Sequence, residues 1–99
     1  MATEIGERIK VLAVFDGGGL GGEQGGGQGE GGGAGESGVR PVKFRWRGRL
    51  YPVDEITYTW RTREGNADIV HFSVTDGATL YELAYNLSTM GWSLEQVEA

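Results

Sequence analysis

Val42-Lys43-Phe44-Arg45-Trp46-Arg47-Gly48-Arg49-Leu50-Tyr51-Pro52-Val53 is the stretch that decides the fold class. Val42, Phe44 and Trp46 share one parity, and Lys43, Arg45 and Arg47 share the other. That period of two marks a half-buried strand. Arg47-Gly48 reads as a tight turn, because glycine takes positive φ at little cost. The chain then runs strand-like from Arg49 to Arg63 with a change of parity. Tyr51 and Val53 lie on one side, while Ile56, Tyr58 and Trp60 lie on the other. A bulge or bend near Asp54-Glu55 resolves the conflict, and Pro52 fits an edge position or the bend itself.

Downstream the pattern repeats. Glu64-Gly65-Asn66 is a turn, and Val70, Phe72 and Val74 alternate against Ile69, His71, Ser73 and Thr75. Asp76-Gly77 is a hairpin signal. Residues 79–85 fit two readings. Thr79 and Glu82 have capping-box spacing, with Leu80, Leu83, Ala84 and Leu87 on a helical face. Tyr81, Leu83 and Tyr85 fit a strand, and the hairpin-like flanks favour the strand. A turn at 86–91 leads to a last strand, Trp92 to Val97. Upstream, Arg8 to Phe15 is a β-branched strand whose second half is apolar on both sides, which suggests burial on both sides or cover from the root of the segment that follows.

That segment is of another kind. From Gly17 to Gly38, 14 of 22 residues are glycine and Leu20 is the one large apolar residue. Such a composition cannot offset the entropy of ordering itself. A flexible, disordered loop is expected over 17–39. It contains a G-x-G-x-x-G string, Gly27 to Gly32, but no amphipathic helix follows. Glu23, Glu30 and Glu36 would repel phosphate, so a dinucleotide loop is rejected.

The expectation is an all-β domain: an antiparallel meander of about six strands forming a small open barrel or highly twisted sheet. Residues 1–16 supply an N-terminal strand of the same domain, added to a β-meander over 40–99.

Composition bounds the chemistry. The chain has no cysteine and one histidine, so disulfides and a thiolate or multi-histidine metal site are excluded. His71 reads as a hydrogen-bonded or solvent-facing strand residue. Ser73, Ser88 and Ser93 lack a nucleophile-elbow context. Asp54 and Glu55, being adjacent, would point to opposite faces of a regular strand. Neither an enzyme nor a cofactor is expected. The start lacks a signal-peptide pattern and no apolar run is long enough for a membrane helix, so no membrane association is expected and the expected place is the cytoplasm.

The net charge of −5 conceals an asymmetry. All nine basic residues precede Glu64, and the six charged residues from Glu64 onward are acidic. Lys43, Arg45, Arg47 and Arg49 form a basic patch around Gly48. Arg61 and Arg63 would extend it if the long strand paired with this one. Tyr58 and Trp60 are the rings best placed to stack on a base. Arginine forks match phosphate oxygens. These eight residues are the candidate binding set, for an acidic protein partner or a nucleic-acid backbone. The alternative is a structural domain that forms a homodimer by edge addition of its apolar first strand. A small-molecule-binding or enzymatic barrel ranks third.

The text Phe44-Arg45-Trp46-Arg47-Gly48-Arg49-Leu50-Tyr51-Pro52-Val53, with Tyr81-Glu82-Leu83 and Trp92-Ser93-Leu94-Glu95-Gln96-Val97, resembles a small bacterial β domain. That domain ends some Y-family-polymerase-like mutagenesis proteins, and short free-standing bacterial proteins share the pattern. The likeness spans residues 42 to 97 and omits the first strand and the glycine tract. It implies a β fold and, distantly, a setting in DNA-damage tolerance. No catalytic residues belong to the motif, so none are carried over.

Overall fold

The computed structural model describes residues 2–15 and 38–99. The loop expected at 17–39 lies outside them except for Gly38 and Val39, and Val39 belongs to the core. Seven strands form one antiparallel sheet: β1 (Ala2–Phe15), β2 (Val39–Trp46), β3 (Arg49–Pro52), β4 (Glu55–Glu64), β5 (Ala67–Thr75), β6 (Leu80–Asn86) and β7 (Gly91–Glu98). Residues 80–86 are strand, as the flanking turns favoured. The described residues hold seven strands rather than about six because the long run breaks at Val53-Asp54.

The order across the sheet is β3-β2-β1-β7-β6-β5-β4. Strands adjacent in the sheet are consecutive in sequence except at the centre, where β1 and β7 lie side by side and Ala2 opposes Glu98. The first strand is therefore no addition to a finished domain. It pairs with β2 on one side and β7 on the other and joins the two halves. With both of its edges occupied, β1 cannot add to another copy, which removes the edge expected for a homodimer.

The sheet does not close, since β3 and β4 stay as edges, but it curls enough for its ends to meet at one corner. Val53 N–H donates to Val42 O, and the next amide, Asp54 N–H, donates to Thr75 O of the far half. One side of the curl is the core. Phe44, Phe72, Leu83, Leu94, Val39, Val74 and Pro41 are fully buried there. Phe44 of β2 stacks on Tyr51 and meets Tyr81 of β6 edge-on, so aromatic contacts span strands that are not neighbours.

Two bulges shift the parity read from the sequence. In β2, Lys43 opposes Leu12 while Pro41 opposes Ala13, so Val42 is extra. Val42 is thereby exposed, and Val39 and Pro41 take the buried positions. In β4, Ile56 opposes Val74 and Tyr58 opposes Ser73, so Thr57 is extra. Ile56 packs on the core, whereas Tyr58 and Trp60 turn to the outer face. The Arg47-Gly48 turn has φ of 52° and 77°, the pair of positive values that a two-residue hairpin of this twist requires.

Candidate functional site: two outer faces

On β1–β2–β3 the outer face is built from cross-strand rows. Lys10 opposes Arg45, which opposes Leu50; Leu12 opposes Lys43, which opposes Pro52; Val14 opposes Arg40. Residues directly opposed in a sheet share a face. Leu12 is 56% exposed, Leu50 52% and Val14 40%, with Val42 beside them. The second half of β1 is thus apolar on both sides because one side is an open patch, not because both sides are buried. Among the described residues, Lys10, Lys43 and Arg45 form no ion pair. A shallow hollow of about 230 Å³ lies over Lys10, Leu12, Lys43, Arg45 and Leu50.

The remaining expected cations lie elsewhere. Arg47 sits in the turn with its guanidinium 4.8 Å from the Trp46 ring centre, and it bonds both oxygens of Glu7 at 3.2 and 2.5 Å. Trp46 Nε1 donates to the same carboxylate at 2.8 Å. These bonds, Arg47's first, hold the Glu7 carboxyl below its ordinary range, and Glu7 in turn raises Arg47. Arg49 opposes Trp46 and so leaves the outer face. Arg61 and Arg63 are on β4, at the far edge of the sheet, where Asp68 lies 3.6 and 3.2 Å from them. The basic ribbon expected from sequence is split by the fold, and only Lys43 and Arg45 remain together on this face, joined by Lys10 and Arg40.

The outer face of β4–β7 has the opposite character. Trp60 stacks flat on His71, with centroids 5.0 Å apart and planes 5° apart, and Tyr58 lies 5.5 Å beyond Trp60. Thr62 Oγ1 is 2.7 Å from His71 Nε2, and Glu82 Oε2 is 3.2 Å from Nδ1. With Nδ1 protonated, the ring donates to Glu82 and accepts from Thr62, so both nitrogens are satisfied. Next to this network is a hollow of about 400 Å³, floored by Ile69, Ala84 and Gly91 and walled by Thr62, Asn86, Ser93 and Glu95. Ser93 donates to Glu95. Asn86 Oδ1 accepts from the Ser88 and Thr89 amides and so fixes the β6–β7 turn.

Hydroxyl, imidazole and carboxylate stand here in the order used for acyl transfer. Such chemistry also needs donors converging on an oxyanion. The strands that floor the hollow, β5 to β7, are paired on both sides, so their N–H groups are engaged in ladders. Among the described residues no group of three or more metal-ligating side chains converges. The network stacks Trp60 on His71 and ties three strands together. Sequence reading found His71 but not its partners Thr62 and Glu82, which come from separate strands.

No family model matches the chain, and no curated protein or solved structure matches it. Among the described residues no helix is long and apolar enough to cross a membrane.

Proposed function

We propose that this protein is a non-enzymatic binding module of the cytoplasm, and that the outer face of β1–β2–β3 docks an acidic, amphipathic segment of a partner protein. The observation that carries this reading is the interleaving of exposed Leu12, Val14 and Leu50 with Lys10, Lys43 and Arg45. Contiguous apolar surface rimmed by charge is characteristic of interaction sites. Burying a leucine side chain fully is worth about 1.5–3 kcal/mol. Rim cations such as these speed the encounter and select acidic partners.

A nucleic-acid backbone fits this face less well. Phosphate has no use for the aliphatic rows, and the rings suited to base stacking, Tyr58 and Trp60, lie at the opposite edge, where Trp60 stacks on the histidine that Glu82 holds. The likeness of residues 42 to 97 to a domain of polymerase-like mutagenesis proteins supports an accessory role of the same binding kind, with no catalytic residues attached.

The test is an NMR titration of the whole protein with a short Glu- and Leu-rich peptide and, separately, a single-stranded oligonucleotide, each at low and moderate salt. The peptide is expected to shift Leu12, Lys43, Arg45 and Leu50, and to retain part of its affinity as salt rises. If those residues stay silent with the peptide, the reading fails. Shifts at Arg45, Arg47, Arg49 and Trp60 with the oligonucleotide alone, collapsing steeply with salt, would move the function to nucleic acid.

A further inference from the structure

The two edges of the sheet are guarded very differently. β3 is four residues long and ends on Pro52. Shortness and proline both protect an edge against added strands. β4 is ten residues long and contains no proline. Beyond the bulge at Thr57 it runs without irregularity from Tyr58 to Glu64. Its side chains there are mostly β-branched or aromatic, the types that favour strand pairing, and Tyr58 is 65% exposed.

We infer that β4 is a homodimerisation edge: two copies pair antiparallel over Tyr58–Thr62, with Trp60 facing Trp60 across a two-fold axis. The register follows from the ladder. Along an edge strand the outward N–H and C=O groups belong to alternate residues, and opposed residues in an antiparallel pair are either both hydrogen-bonded or both not. The axis must therefore pass through a residue, not between two. Centred on Arg61, the pairing sets Arg61 against itself. Centred on Thr62, it sets Arg61 against Arg63. Centred on Thr59, it is cut short by the Thr57 bulge. Centred on Trp60, it opposes Tyr58 to Thr62 and Thr59 to Arg61, with no like charges facing.

The edge is thus complementary to itself in one register, which is the reason to assign a second copy and not a foreign strand. Trp60 is already held by its stack on His71, so little side-chain freedom remains to be lost on association. The contact uses the same patch on both copies, so it closes at two and does not propagate.

The experiment is sedimentation velocity on the full chain from about 10 μM to about 1 mM, a range suited to a modest interface. A concentration-dependent dimer is expected. Tyr58→Lys should weaken it about tenfold or more, since symmetry counts each lost cross-strand pair twice, with an unchanged circular dichroism spectrum. The chain has no cysteine, so Thr59→Cys and Arg61→Cys test the register. Mixed and oxidised, the two variants should cross-link to each other, and neither alone to itself. A monomer throughout the range, a dimer indifferent to Tyr58→Lys, or self-linking equal to mixed linking would each overturn the inference.

Discussion

The halves β1–β2–β3 and β4–β7 share one core yet present contrary outer faces. The first exposes aliphatics between cations that form no ion pair among the described residues. The second joins its polar side chains into a cross-strand network, with Trp60, Thr62 and Glu82 each contacting His71 across three strands. A face whose polar groups satisfy each other is bound to its own fold, and one whose groups lack partners is available to another molecule. The difference teaches where to look for a partner. It also shows why the arginine count misleads, since Arg47, Arg61 and Arg63 already face carboxylates.

The strongest way to break this comparison is to ask whether the halves fold as one unit. Phe44→Ala removes the ring that joins β2 to Tyr81 of β6, and Leu83→Ala opens the centre of the other half. Each should cost about 2–5 kcal/mol by denaturant unfolding. Both should lower amide-exchange protection across all seven strands. If Phe44→Ala melts β1–β3 while β5 and β6 keep their protection, the halves are separate units.

His71→Ala should destabilise by about 1–2 kcal/mol through loss of two hydrogen bonds and the Trp60 stack. Trp60 emission should shift to the red as the ring loosens. No change in emission would mean the network does not orient Trp60. On the other half, β1 and β2 pair as far as Phe15 with Val39. Replacing residues 17–37 by a four-residue turn should leave the sheet intact and stabilise it by about 1 kcal/mol through cheaper loop closure. Loss of the fold would show that this segment is needed for it.

Acid sharpens the contrast further. The Asp76 carboxyl lies below its ordinary range, chiefly because it accepts the Ala78 and Thr79 amides; Tyr81 O–H adds to this and burial opposes it. A carboxyl lowered in the folded state adds stability above its unfolded value, about 3.9 for aspartate. That contribution fades as pH falls below about 4 toward the lowered value. Asp76→Asn should flatten the stability–pH curve in that window and leave its slope above about pH 5 unchanged. An identical acid limb in the variant would rule out the turn as its source. The smallest effect belongs to the open face. Lys43→Glu and Leu50→Ser should each change stability by no more than about 0.5 kcal/mol. The same variants should abolish the peptide shifts, and retained peptide binding would locate the partner elsewhere.

Much of the local structure was legible. Period-two alternation marked Val42–Trp46 and Asp68–Thr75, the turn at 86–91 placed the last strand, and the turn at Arg47-Gly48 followed from glycine. The parity shifts at Val42 and Thr57 were not legible where they fall, because a bulge leaves composition unchanged and is defined only by the strand across from it. For the same reason Thr62 and Glu82 gave no sign of serving His71: they lie nine and eleven residues from it and meet it only once β4, β5 and β6 align.

An all-β chain, the place of most turns and the concentration of cations before Glu64 are written in the residues themselves, because they rest on side-chain alternation, backbone preference and charge. Which cations stay together is set by the packed sheet. It placed β1 at the centre and sent β3 and β4 to opposite edges, so Lys43 and Arg45 remain with Lys10 while Arg61 and Arg63 cross to Asp68. Strand order is set by burying one face of every strand against the others, a global condition that no local stretch of residues encodes.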